Sequence, residues 1–161
     1  MWLDSFFLRD GDPTLLLQGN YHPTLVALSL LIAVLGSAMG LQLAGMARAA
    51  AGTTNRQVAL VSGALALGTA TWAMHFIGMQ AFSLCDEIRY APTLTLLSMA
   101  PAMLASWVAL SLLARDEIRP WQLALGGTLV GAGIGTMHYL GMAAMEMNAQ
   151  LRYHPGWFLA S

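Results

Sequence analysis

The sequence predicts an all-α integral membrane bundle of four transmembrane helices, built as two helix-pair repeats with a third repeat cut short. Three observations carry that expectation. Charged residues make up 9% of the chain and 57% is apolar, whereas about 25% charged is ordinary for a soluble domain. The charges are segregated, leaving Pro13 to Ala47, Gln57 to Cys85, Tyr90 to Ala114 and Pro120 to Met145 without any. Each of these stretches exceeds the roughly 20 residues an α-helix needs to cross a hydrocarbon core. The third observation is a Met-His motif that occurs twice, near the ends of the second and fourth apolar stretches.

The predicted helices are Thr24 to Ala47, Val58 to Leu84, Pro92 to Ala114 and Trp121 to Met147. Pro23 and Pro92 stand where proline is tolerated, in the first turn of a helix, and Trp121 stands at an interface that amphipathic aromatics favour. The N-terminus lacks the basic residues and cleavage pattern of a signal peptide. Residues 1–20 therefore read as a tail outside the membrane, and residues 21–161 as the membrane domain. Arg48, Arg56, Arg115 and Arg119 fall in the two loops on one side, against Arg9, Arg89 and Arg152 on the other. The positive-inside rule then places both termini, and His22, His75, His138 and His154, on the extracytoplasmic side.

Met74-His75-Phe76-Ile77-Gly78-Met79 and Met137-His138-Tyr139-Leu140-Gly141-Met142 lie at equivalent places, and Gly63 and Gly68 match Gly126 and Gly131 at the same offset. The helix starts repeat as well: Tyr21-His22-Pro23-Thr24-Leu25 resembles Tyr90-Ala91-Pro92-Thr93-Leu94, and Tyr153-His154-Pro155 opens the pattern again. A helical pair is thus the repeating unit. Gly36 with Gly40, and Gly127, Gly131 and Gly135, form small-residue faces expected to admit close helix approach.

Residues four apart share a helix face, so His75 stacks with Met79 and His138 with Met142, with Met74 and Met137 at the margin of that face. Thioether favours Cu(I) and imidazole suits both copper oxidation states; the scarcity of carboxylates disfavours calcium, magnesium and manganese. The expected metal ligands are His75, Met79, His138, Met142, Met74 and Met137, with His22 and His154 as weaker candidates. A four-ligand site requires the second and fourth helices to be neighbours. Cys85 is the sole cysteine, and Glu146 follows Met142 by one turn as a candidate second-layer acceptor. Packing and interfacial anchoring are the competing roles for single methionines and histidines. The recurrence of the whole motif favours ligation, because ionisable groups in membranes are functional candidates.

The two motifs resemble those of the MHYT domain, a bacterial integral membrane sensor family, over nearly all of the chain from Tyr21 onward. The resemblance implies a module in the bacterial inner membrane, with its Met-His motifs near the outer face. It also implies bound copper, detection of O2, CO or NO, and coupling to cytoplasmic cyclic-di-GMP cyclase, phosphodiesterase or histidine kinase domains. Carried over by position, it points to Met74, His75, Gly78, Met79, Met137, His138, Gly141 and Met142. Phe76, Ile77 and Leu140 depart from the family pattern, so its threonine hydroxyl is absent from both copies. The chain itself carries no catalytic constellation, and without a basic patch it offers nothing to a nucleic acid. Two alternatives remain: a copper-handling protein, with Met39, Met46, Met99 and Met103 as stepping stones, or a structural membrane anchor.

Overall fold

A computed structural model describes residues 20–83 and 89–146. The tail preceding Asn20, the loop with Cys85, Asp86 and Glu87, and the chain from Met147 with His154 lie outside the described residues, as does the side chain of Glu146. The elements run β1 (Asn20–Tyr21), α1 (Pro23–Ala49), α2 (Thr53–Ala81), β2 (Phe82–Ser83), β3 (Arg89–Tyr90), α3 (Pro92–Leu97), α4 (Met99–Leu113), α5 (Pro120–Ala143) and β4 (Met145–Glu146). The architecture is the expected all-α bundle. Three spans, Pro23–Ala49, Thr53–Ala81 and Pro92–Leu113, are long and apolar enough to cross a membrane. The fourth long helix, α5, has 24 residues and no charged side chain, and its glycines replace bulkier apolar groups.

Each helical pair is closed by a two-residue antiparallel ladder joining the start of its first helix to the end of its second. Asn20 pairs with Ser83 and Tyr21 with Phe82; Arg89 pairs with Glu146 and Tyr90 with Met145. The peptide N–H before each leading proline donates across the same gap, His22 to the Ala81 carbonyl at 2.7 Å and Ala91 to that of Ala144 at 2.8 Å. These ladders end α2 at Ala81 and α5 at Ala143, each several residues before the predicted terminus. They satisfy backbone groups that a helix end leaves open.

α2 packs between α1 and α4, and α5 packs on the far side of α4. The buried cluster Ala44, Ala47, Ala59, Leu60, Leu110 and Ala114 joins α1, α2 and α4. Most of these are alanines, and glycines face neighbouring helices as well. A Cβ on Gly36 would collide with the Ala70 side chain, and one on Gly68 would lie 2.6 Å from the Met103 Cα and 2.9 Å from its amide nitrogen. With lipid outside, apolar burial alone does not hold helices together, and close backbone approach through small residues takes over. Gly36 and Gly40 thus pack as expected. Gly127, Gly131 and Gly135 do not, having nothing within 4 Å of an added Cβ; Gly126 and Gly133 are the glycines of α5 that meet α4.

The third span is broken at Ser98, where a continuous helix was expected. Pro101 has no N–H to give the Leu97 carbonyl and its ring crowds that turn, which is the usual cause of such a break. In that turn the Ser98 hydroxyl donates to the Thr95 carbonyl at 2.7 Å. The Trp72 indole N–H donates to that carbonyl at 3.1 Å and to the Ser98 hydroxyl at 3.0 Å. Trp72→Phe keeps an aromatic ring at the position and removes that donor together with the indole's second ring. It is expected to cost about 1 kcal/mol, in the range of hydrogen bonds between membrane helices, read as a lower unfolding midpoint in detergent.

At the opposite end from the ladders, the Arg48 guanidinium donates to the Leu113 carbonyl and that of Arg56 to the Ala114 carbonyl at 3.5 Å. Two predicted loop arginines therefore serve the last carbonyls of α4, where cations also complement the helix dipole.

Candidate Met-His site

His75 sits in the last two turns of α2, and His138 in the corresponding part of α5. The two helices touch over only a short stretch at this end, since α4 separates them along most of their length. The neighbourhood that a shared site requires is thus local. There the two imidazoles meet, their ring centroids 4.9 Å apart and their planes inclined by 65°.

Gly141 makes this approach possible. A Cβ at that position would lie 3.0 Å from His75 Nε2 and 3.4 Å from the Phe76 ring. The glycine of the second motif therefore leaves room for the histidine of the first. His75 Nε2 is buried and has no hydrogen-bond partner. A buried polar nitrogen without a partner costs free energy and calls for a reason.

Aromatic rings wall the site on the α2 side. Phe76 is buried, stacks on Trp72 with centroids 4.9 Å apart, and faces His75 at 5.6 Å and Tyr90 at 6.1 Å. Burial raises the pKa of the Tyr90 phenol above its ordinary value, which keeps the group neutral. Tyr139 packs edge-on to His138 at 5.2 Å.

Met137 is buried, and Met74, Met79 and Met142 are half-buried on the same two helix ends. Helical spacing puts Met79 on the face of His75 and Met142 on that of His138. His22 is not part of this cluster: its ring is exposed and its Nδ1 is 2.9 Å from the Thr24 hydroxyl. Among the described residues no three of His, Cys, Asp and Glu gather in one place. Two imidazoles are what the structure brings together, on helix ends that also carry the four methionines of the motifs. Met39 and Met46 are exposed on α1, and Met103 packs on Gly68.

Sequence reasoning missed the roles of Gly141 and Trp72. The sequence did contain a signal for the first, since Gly141 belongs to the repeated motif, but not the partner that the glycine accommodates. For Trp72 the sequence held no such signal: its partners, the Thr95 carbonyl and the Ser98 hydroxyl, lie on another helix.

Three stretches, residues 14–63, 68–126 and 131–161, match the MHYT family model, described as the bacterial signalling protein N-terminal repeat. The chain is 45% identical over 143 residues to the bifunctional diguanylate cyclase/cyclic di-GMP phosphodiesterase MucR of Pseudomonas aeruginosa, covering 88% of this chain and 21% of that protein. It is 34% identical over 162 residues to the cyclic di-GMP phosphodiesterase NbdA of the same organism, covering 99% of this chain and 20% of the relative. The signaling protein YkoW of Bacillus subtilis is 30% identical over 142 residues, covering 88% of this chain and 18% of its own length. No solved structure matches. With repeat matches spread along the chain and two histidine motifs meeting where the repeats meet, this chain belongs to the MHYT family of bacterial membrane signalling repeats.

Proposed function

We propose that the chain is a sensory input module of the bacterial inner membrane. In this reading it binds copper between its two Met-His motifs and responds to a diatomic gas (O2, CO or NO) or to redox state. The observation that carries this reading is the buried, unpartnered Nε2 of His75 facing the His138 ring across Gly141. A lone pair on that nitrogen suits a soft or borderline cation, and bond lengths of about 2 Å put both imidazoles within reach of one ion.

His75 and His138 would hold the ion, with Met79 and Met142 supplying thioether sulfur and Met74 and Met137 closing the margin. Copper would supply a redox-active centre able to bind a diatomic gas. The protein's own part is positional. Gly141 sets the separation of the two rings, while Phe76 and Trp72 fix the face of α2 and keep water away. Because one ligand histidine comes from each helical pair, a change in ligation would bias how the two pairs sit against each other, which is a population shift between two packings. The Trp72 bond to the broken third span lies beside the site and would feel that change.

The relatives named for cyclic di-GMP enzymes are about five times longer than the aligned region, which supports an input role with turnover of that nucleotide carried out by other domains. The arginines at the end opposite the histidines support an extracytoplasmic site. Chain purified in detergent and loaded with copper is expected to hold about one equivalent by elemental mass spectrometry. The His75→Ala/His138→Ala double variant is expected to hold none; equal copper in both would sink the proposal.

A further inference from the structure

The seam between α4 and α5 carries a furrow that is apolar along its length and polar at one end. Two clefts, of about 480 and 220 Å³, share Val108 and Leu129 and so form one continuous groove open to the outside of the bundle. Helical spacing agrees, since Leu104, Val108 and Leu112 lie along one face of α4 and Leu125, Leu129 and Thr136 along one face of α5. Its floor is set where glycines meet α4, Gly126 facing Leu112 and Gly133 facing Ala105. These small residues bring the backbones together beneath the flanking leucines.

The one hydroxyl of the longer cleft, that of Thr136, donates to the Ala132 carbonyl of its own helix at 2.7 Å. Arg115, Trp121 and Gln122 line the opposite end. Trp121 is 59% exposed, and amphipathic indoles settle at headgroup depth. Gln122 Oε1 accepts from the Arg119 N–H at 3.1 Å, which leaves the side-chain NH2 as a donor. The Arg115 guanidinium has no hydrogen-bond or ion-pair partner among the described residues, whereas Arg48 and Arg56 hold the carbonyls of Leu113 and Ala114. Asp116 and Glu117 follow Arg115 but line neither cleft.

The first repeat lacks this polar end. The offsets that align Ser29 with Ser98 and His75 with His138 place Met46 opposite Arg115, Val58 opposite Trp121 and Ala59 opposite Gln122. Packing within the two pairs is otherwise alike, Gly63 meeting Leu43 as Gly126 meets Leu112. The cation, indole and carboxamide are therefore not required to pack a helical pair.

A groove of this polarity fits an amphiphile with an anionic head. We propose that the α4–α5 furrow binds one anionic phospholipid from the leaflet on the arginine side, with an acyl chain along Leu125, Leu129 and Val108 and the phosphate at Arg115. From the level of Arg115 to Leu104 the furrow rises about 15 Å at 1.5 Å per residue, half of a roughly 30 Å hydrocarbon core. A guanidinium engages phosphate through paired donors. A lipid held there bridges α4 and α5, and the packing of the second pair then depends on the headgroups that the leaflet supplies. The site lies toward the other end of α5 from His138, and its occupancy does not depend on a bound metal.

Native mass spectrometry of the chain in detergent, titrated with phosphatidylglycerol, tests the site. The unaltered protein is expected to retain one lipid, and Arg115→Gln to bind it about fivefold more weakly, the effect of one cation near a headgroup. Arg119→Gln removes the same charge from the same loop at a residue that lines neither cleft, and is expected to bind as the unaltered protein does. Val108→Phe and Leu129→Phe thicken the walls where the clefts join and are expected to weaken retention several-fold, with circular dichroism verifying helix content. Phosphatidylcholine of the same chains is expected to bind more weakly, and glycerophosphoglycerol, the head without chains, not at all. Equal losses in Arg115→Gln and Arg119→Gln would overturn the proposal in favour of diffuse attraction to the loop. Retention unchanged by both phenylalanine variants would overturn it as well, and so would equal binding of phosphatidylcholine that ignores Arg115, which is ordinary lipid solvation.

Discussion

Gly68→Ala in residues 1–161 is expected to lower stability by about 3 kcal/mol, at the upper end of overpacking costs. The added methyl would meet the Met103 backbone, at 2.6 Å from Cα and 2.9 Å from nitrogen, and backbone cannot rotate aside as a side-chain tip can. Relief requires α2 and α4 to separate, which also loosens Leu60, Leu110 and Ala114 in the buried cluster. Gly131→Ala is the paired control. That position has the same place in the second repeat but nothing within 4 Å, so the substitution is expected to shift stability by less than about 1 kcal/mol, the helix-propensity gain of alanine over glycine. Unfolding midpoints in detergent separate the two, and equal midpoints would contradict the packing described.

Gly141→Val is expected to weaken copper binding by about 10- to 100-fold while leaving the helices intact, the size of effect seen when a residue supporting a metal ligand is changed. Even a methyl there would lie 3.0 Å from His75 Nε2, so the branched side chain displaces the imidazole. Gly78→Val, in residues 1–161, faces open space and is expected to leave affinity unchanged. His22→Leu should also be silent, because its ring is occupied with Thr24 away from the pair. Copper titration of these three variants beside the unaltered protein, with circular dichroism to verify helix content, distinguishes a lost ligand geometry from a lost fold.

The charge-free stretches sufficed to place the helices, and the recurrence of Met-His-x-x-Gly-Met sufficed to name the two histidines that meet, because equivalent residues of the two repeats stand at a constant offset in the sequence. The orientation of each helix about its axis was less legible. In water an apolar stripe marks the inward face, but a helix in lipid is apolar all round. The glycines at 127, 131 and 135 therefore looked as good a contact face as 126, 133 and 141, and only packing shows that the latter meet neighbours. The ladders at the helix ends span two residues each, too short for an alternation to show. The break at Ser98 was legible in principle from Pro101, since a proline inside a span removes a defined hydrogen bond.

The most direct test of the Met-His site is the copper K-edge X-ray absorption spectrum of the loaded protein. A shell of two imidazole nitrogens near 2.0 Å and sulfur near 2.3 Å, distances usual for these donors, is expected. The sulfur is expected to disappear in Met79→Leu/Met142→Leu and the imidazole scattering in His75→Ala/His138→Ala. A spectrum without sulfur, or one that survives unchanged in the histidine double variant, would contradict a copper site shared between the two repeats.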